Sequence, residues 1–381
     1  MNKRVLLLST CFRPNVGGVE THLDDLVEEG AKRQIEFTVI TYQPLITKAF
    51  GKYVERGKGY RIIRIPWLRF NLFLILEKYP LLEFLYLTPG IFIISFFYLL
   101  TFGRKIETIH AQGISAGAVG LLLSVIFGKK LLISTHSIYH FPKSGLYRSF
   151  VAFLFGNSNQ VLTLSKQSKK EVVNIGVSKD KVSVFTYWVD QNKFRTYNKQ
   201  HRKKLRKKLG WERKFICFFV GRLVEVKGIK ELLEAAKLVN GNILISMAGT
   251  GPLEKLITSY KLQISKLQFL GKVENDKLPM YYNAADVLTI PSTHEEGFGR
   301  VILEALSCGL PVIGSRRGAI PEAMDESVGY FIDVTPENIA RLINKISKNK
   351  KDLDRKAKNA RVFAEKRFSS KNAEMIVKYY I

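Results

Sequence analysis

The chain has 381 residues, 46% of them hydrophobic and 24% charged, and 60 Lys+Arg against 33 Asp+Glu give a formal charge of +27. The length predicts two domains, each able to bury its own core, and the composition excludes a disordered polycation. A folded protein this basic meets something anionic: nucleic acid, a phosphate-bearing substrate or an acidic membrane face.

Taken in chain order, short apolar runs bounded by turn residues predict strands at 5–8, 37–41, 62–65, 108–110, 131–134 and 161–164. Their continuous apolarity is what a parallel sheet covered on both faces requires. Lys3-Arg4 precedes the first run, but four apolar residues are far short of a signal peptide's apolar region. Between the third and fourth runs, residues 84–103 carry no charge, which makes them a candidate for a membrane span. Thr88-Pro89-Gly90 is expected to interrupt them. The remaining helix, 91–102, would be roughly 18 Å long against a hydrocarbon core of about 30 Å, too short to cross. A buried core helix and a surface helix that enters a bilayer both stay open. Phe84, Tyr86, Phe92, Phe96, Phe97 and Tyr98 favour the second, as do Trp67, the apolar stretch 72–76 and the basic flanks Arg69, Lys78, Arg104 and Lys105.

A second set of strands is predicted at 215–220, 243–248, 267–270, 287–290, 312–314 and 329–332. Two successive β-α series mean two doubly wound α/β domains. The expected division is 1–190, a basic linker at 191–214, a second domain at 215–360, and a C-terminal helix at 361–381 packing back on the first domain. Cys11, Cys217 and Cys308 form no C-x-x-C pair, so neither a disulfide framework nor a zinc site is expected, and the setting is a reducing cytoplasm.

Several motifs carry chemistry. Gly17-Gly18 lies where the first strand runs into a helix, and paired glycines there let backbone approach an anion at the helix N-terminus. The spacing is not that of a dinucleotide fingerprint. His110 and His136 sit near strand ends, where open α/β sheets line their ligand crevice. Gly221-Arg222 and Lys227-Gly228 place two cations suited to a diphosphate at the start of the second domain. In Pro291-Ser-Thr-His-Glu-Glu-Gly-Phe-Gly299, the glycine turn leads into a helix, and Glu296 and Glu304 are carboxylates able to accept paired hydrogen bonds from vicinal hydroxyls.

Gly17-Gly-Val-Glu20, His136, Gly221-Arg222, Lys227-Gly228, Gly249-Thr-Gly-Pro252, Ala285-Asp-Val-Leu-Thr-Ile-Pro-Ser292, the Glu296/Glu304 pair and Gly309-Leu-Pro-Val312 occur in an order that resembles glycosyltransferase family 4. The resemblance covers nearly the whole chain. It implies an α/β fold of two doubly wound Rossmann-like domains facing each other (GT-B) and retaining transfer of sugar from a nucleotide-diphosphate sugar. It also implies that Arg222 and Lys227 neutralise the donor diphosphate, that Glu296 holds the donor sugar, and that the amides of Phe298 and Gly299 touch sugar or phosphate. Glu304 would bind the ribose, backbone at Lys272-Val273 the base, and Gly17-Gly18 the phosphates. His136 would stand near the reacting face, with Glu20 and His110 as further acceptor-side candidates. Thr186-Tyr-Trp188 stands where many members have Pro-Asn-Gly, a departure local to that loop. The stretch 12–22 is similar to the branch acting on inositol-phospholipid acceptors.

No cofactor or metal is expected, because the lone Asp-x-Asp, Asp352-Leu-Asp354, sits in a charged helical segment with no strand before it. Two rivals remain: a sugar-nucleotide epimerase of the same architecture, and a basic nucleic-acid-binding protein. The densest basic run, 199–208, contains no Phe, Tyr or Trp, so specific nucleic-acid binding is not expected. Residues 1–190 hold 24 basic against 13 acidic residues and 191–381 hold 36 against 20. Two donor-binding cations cannot account for this excess. It fits an enzyme at the inner face of a membrane, reaching a lipid-linked or membrane-associated glycan acceptor.

Overall fold

Parallel strands need crossover connections, and where each crossover carries a helix the sheet is covered. The first sheet is built from β1 (Lys3–Leu8), α1 (Gly18–Lys32), β2 (Ile35–Tyr42), β3 (Val54–Gly57), β4 (Tyr60–Ile65), α2 (Leu72–Leu76), α3 (Pro80–Phe102), β5 (Thr108–Gln112), α4 (Gly113–Phe127), β6 (Lys130–Thr135), α5 (Leu146–Gly156), β7 (Gln160–Thr163), α6 (Lys166–Asn174) and β8 (Val182–Val184). This computed structural model describes residues 3–15, 17–45, 49–68, 72–76 and 79–381; Val16, Arg69 and Lys78 from the motifs above lie outside them. The strand order is β3-β4-β2-β1-β5-β6-β7-β8, with β3 antiparallel to β4 and the other pairs parallel. All six runs of the first predicted set are strands. β3 and β8 are additions: one is a mostly exposed Val-Glu-Arg-Gly edge, the other three residues long, and neither shows a long apolar run.

The second sheet follows from α7 (Lys199–Leu209), β9 (Phe215–Val220), α8 (Ile229–Leu238), β10 (Ile243–Ala248), α9 (Glu254–Gln263), β11 (Leu267–Phe269), α10 (Leu278–Ala284), β12 (Val287–Ile290), α11 (Arg300–Ser307), β13 (Val312–Ser315), α12 (Ile320–Ala323), β14 (Gly329–Ile332), α13 (Pro336–Ser347) and α14 (Lys350–Arg367). Its order is β11-β10-β9-β12-β13-β14, parallel throughout. The tail, with α15 (Glu374–Val377), belongs to the first unit, so the chain divides into Met1–Tyr187 with Lys371–Ile381, and Trp188–Ser370.

That division corrects the linker expected at 191–214. Asn198 caps α7 by accepting from His201 N–H, and Gly210 ends it in the left-handed conformation at φ +67°. Arg202 and Arg206 both reach Asp286, at 2.6 and 3.0 Å, and Leu205 is buried. The basic run is a helix of the second unit, held by a carboxylate at the start of β12.

The Thr88-Pro89-Gly90 break is a second correction, because α3 runs unbroken through it for 23 residues. Proline removes one helical N–H and crowds the preceding turn. The Tyr42 hydroxyl, from the end of β2, stitches the turn together by donating to Leu87 O at 2.8 Å and accepting from Ile91 N at 3.1 Å. Gly90 is needed for this, since a Cβ there would lie 2.8 Å from Tyr42 and 2.9 Å from Trp67. Trp67 therefore packs inward, with its indole N–H on Tyr86 O at 2.9 Å, rather than toward a bilayer. Tyr86, Leu87, Ile91 and Leu99 join residues of α4, α5 and α6 in one core layer against the sheet.

Candidate active site

In the second unit, the residues that the motifs single out collect at the carboxyl edge of the sheet. Arg222 follows β9; it is exposed and makes no ion pair among the described residues. Lys227 precedes Gly228, whose φ of +70° and Cβ position 1.8 Å from Pro291 O admit only glycine. That close approach brings the start of α8 against the loop after β12. There Lys227 Nζ donates to Glu296 Oε1 at 2.5 Å, and Ser292 Oγ donates to the same oxygen. Glu296 is 6% exposed. Burial pushes its carboxyl up, but the Lys227 ammonium and the bonds from Lys227 and Ser292 outweigh burial and leave it below its ordinary value. The site thus holds an ionised carboxylate almost out of water.

The turn after Glu296 is fixed by backbone. Gly318 lies against it, with Ala319 N donating to Glu296 O at 2.9 Å, and Gly299 enters α11 at φ +67°. The Phe298 side chain is buried against Phe368. Glu304 is buried in α11, where Tyr282 Oη donates to it at 2.9 Å and Arg300 Nε stands at 3.5 Å. Lys272 is exposed and pairs with Glu274 at 2.9 Å, and Val273 is half-buried beside it. Gly249 and Gly251 pack their backbone onto Gly221 and Leu223, joining the loops after β9 and β10. Tyr282 is not singled out by the sequence, and no role is read for Arg300 there; Ser292, four residues before Glu296, is legible as the end of the motif that begins at Ala285.

In the first unit the structure brings His136 and Gly17 to the carboxyl edge, but not His110. Glu20 bends back over Gly17, its carboxylate 2.2 Å from where a Cβ would stand, so the anion position at the start of α1 is filled by the protein's own carboxylate. Gly18 opens α1 and is exposed. His136 Nε2 donates to Gln112 Oε1 at 2.7 Å, and Nδ1 accepts from Tyr187 at 2.8 Å. Burial pulls its pKa down to about 3, so the ring is neutral. His22, which the sequence does not single out, stacks on Tyr187 at 4.3 Å.

His110 is the correction here. It sits in the middle of β5 and is wholly buried, with Tyr380 Oη and Ser134 Oγ each 2.7 Å from its ring nitrogens. Burial, then the neighbouring His136, brings its pKa to about 3. It fastens the tail to the sheet and is closed to an acceptor.

Comparison with known proteins is consistent along the chain. Residues 16–193 match the family described as Glycosyltransferase Family 4, and residues 201–363 match Glycosyl transferases group 1. An uncharacterized glycosyltransferase of Methanocaldococcus jannaschii is 30% identical over 260 residues, 64% of this chain and 66% of that one. The GPI3 subunit of phosphatidylinositol N-acetylglucosaminyltransferase from Saccharomyces cerevisiae is 23% identical over 363 residues, 88% of this chain and 73% of its own. Among solved structures, Anabaena HepE in complex with UDP-glucose superposes with a TM-score of 0.77 at 20% identity, covering 99% of this chain and 98% of that one. The superposition shows the GT-B fold, and the two matched halves make this chain a member of glycosyltransferase family 4, a nucleotide-sugar glycosyltransferase.

Proposed function

We propose that the protein transfers a sugar, with retention of configuration, from a nucleoside-diphosphate sugar to a lipid-linked acceptor. The observation that carries the donor side is the buried Lys227–Glu296–Ser292 cluster at the carboxyl edge of the second sheet. As the C1–O bond breaks, negative charge grows on the departing diphosphate, and Lys227 with the exposed Arg222 stabilises it. Glu296, kept ionised, accepts hydrogen bonds from the donor sugar's hydroxyls. The peptides of Phe298 and Gly299 orient sugar or phosphate, Glu304 serves the ribose once Tyr282 yields it, and backbone at Lys272-Val273 takes the base. Gly17-Gly18 meets the phosphates when Glu20 swings aside. The neutral His136, with both nitrogens engaged, contributes a fixed polar edge near the reacting centre rather than a base.

The acceptor class rests on the apolar helices of the first unit and on the likeness to a protein named for transfer to phosphatidylinositol. The test is a panel of nucleotide sugars offered with soluble and lipid-linked acceptors, reading released nucleoside diphosphate and anomeric configuration. Turnover that needs a lipid-linked acceptor supports the reading. Consumption of donor without any acceptor favours the epimerase chemistry instead.

A further inference from the structure

A helix on the surface of a soluble protein turns its polar side outward. α3 is apolar on its outer side as well as its inner one. Leu82, Leu85, Ile93, Phe97 and Leu100 are all exposed, Phe97 at 62%, and follow one another at helical spacing along the side away from the buried Leu87, Ile91 and Leu99. With Pro89 between them, they form an outward stripe roughly 27 Å long, at about 1.5 Å per residue, without a charge. The neighbouring helices continue it. α4 carries no charged residue and exposes Val125 at 75%; α5 exposes Leu146 at 91%, with Phe150 and Phe153. Ring contacts tie the three together, Phe96 to Phe127 at 5.5 Å and Phe84 to Phe150 at 5.7 Å. Across α3, α4 and α5 the charged residues are Glu83 and Arg148.

The stretch 81–105 has the length and apolarity of a span. A crossing is excluded by its other side, which is built into the core beneath the sheet. Charge then identifies what covers the outer side. α3 leads into Arg104-Lys105 and α4 into Lys129-Lys130, both at the amino edge of the sheet. An open hollow of about 380 Å³ at that edge is lined by Arg61, Lys105, Tyr98 and Phe102, with Arg4 paired to Glu36. Apolar surface ending in a cationic, aromatic border matches lipid chains below anionic headgroups.

We infer that the first unit docks on an anionic bilayer through the outer side of α3, α4 and α5, entering the headgroup and upper acyl region without crossing. α3 runs antiparallel to the strands, so its start lies at the carboxyl edge, where His136 and Gly17 stand. A lipid-linked hydroxyl rising from the same leaflet reaches that edge without leaving the membrane. The acceptor consequence rests on the proposed transfer; the docking does not, because it is read without nucleotide sugar.

The experiment is co-sedimentation of the full chain with phosphatidylcholine vesicles, with and without 30% phosphatidylglycerol. Wild type is expected to bind the anionic vesicles at least tenfold more tightly. Phe97→Glu/Val125→Glu, both on the outer side, should weaken binding to both vesicle types tenfold or more with an unchanged circular dichroism spectrum. Arg104→Glu/Lys105→Glu should remove the anionic preference, and Leu262→Glu, exposed in the second unit, should change nothing. Unaltered binding by Phe97→Glu/Val125→Glu overturns the inference. So does a wild-type chain that ignores vesicles and instead self-associates through this surface in sedimentation velocity.

Discussion

Glu296 has little water around it, and its ionised form depends on two donors, Lys227 and Ser292. Removing one partner of such a pair costs more than removing both. Lys227→Ala is therefore expected to lower stability by about 1–3 kcal/mol, and the double variant Lys227→Ala/Glu296→Gln should recover most of it in urea titrations. Neither recovers transfer: Glu296→Gln alone should lose about 100-fold or more in kcat while keeping a native circular dichroism spectrum. Full turnover in purified Glu296→Gln would remove Glu296 from the site. Arg222 is exposed and makes no ion pair among the described residues, so Arg222→Ala should leave stability within about 0.5 kcal/mol while raising the donor KM tenfold or more. His110 supplies a pH test. Its folded pKa of about 3 lies below the ordinary 6.5. The unfolded chain takes up this proton below pH 6.5 and the native chain does not until about pH 3. The contribution is complete above pH 6.5 and falls across that window, on the order of 1 kcal/mol per pH unit. His110→Gln should be less stable at pH 7.5, and its urea midpoint should move less between pH 7.5 and 5.0 than the wild type's.

At the scale of the element, α3 is held across its proline by a hydroxyl 45 residues earlier in the chain. Tyr42→Phe leaves the Leu87 carbonyl and Ile91 N–H without that partner and should cost about 1–3 kcal/mol. Gly90→Ala, which forces a methyl onto Tyr42 and Trp67, should also be destabilising, both readable in urea. This element shows where sequence reading stops. Continuous runs such as Leu-Leu-Leu in β1 declare a strand because their burial on two faces is a local property of composition. Thr-Pro-Gly declares a break for an equally local reason, and only a tertiary contact reverses it. The donor site divides the same way: Arg222, Lys227, Glu296 and the glycines are legible as motif, whereas the bond from Lys227 to Glu296 spans 69 residues and exists only because Gly228 lets two loops touch. His110 is misplaced by two residues of strand length, which is the difference between an edge and a core.

For the molecule as a whole, unit boundaries decide which pieces stand alone. The second unit begins at Trp188, whose carbonyl receives Arg300 at 3.1 Å, and includes α7. A fragment 188–370 is expected to melt cooperatively, and one starting at 215 should melt lower, since it strips Arg202 and Arg206 from Asp286. The first unit is not contiguous, because residues 371–381 complete it through Tyr380 on His110. That interruption sets an order on synthesis. At roughly 5–20 residues per second, the ribosome needs on the order of 10–40 s to pass from residue 187 to residue 381, and for that interval the first sheet waits without its last piece. A nascent chain stalled before residue 371 should therefore keep a protease-sensitive first unit beside a finished second one, so the half of the protein made first is the half completed last.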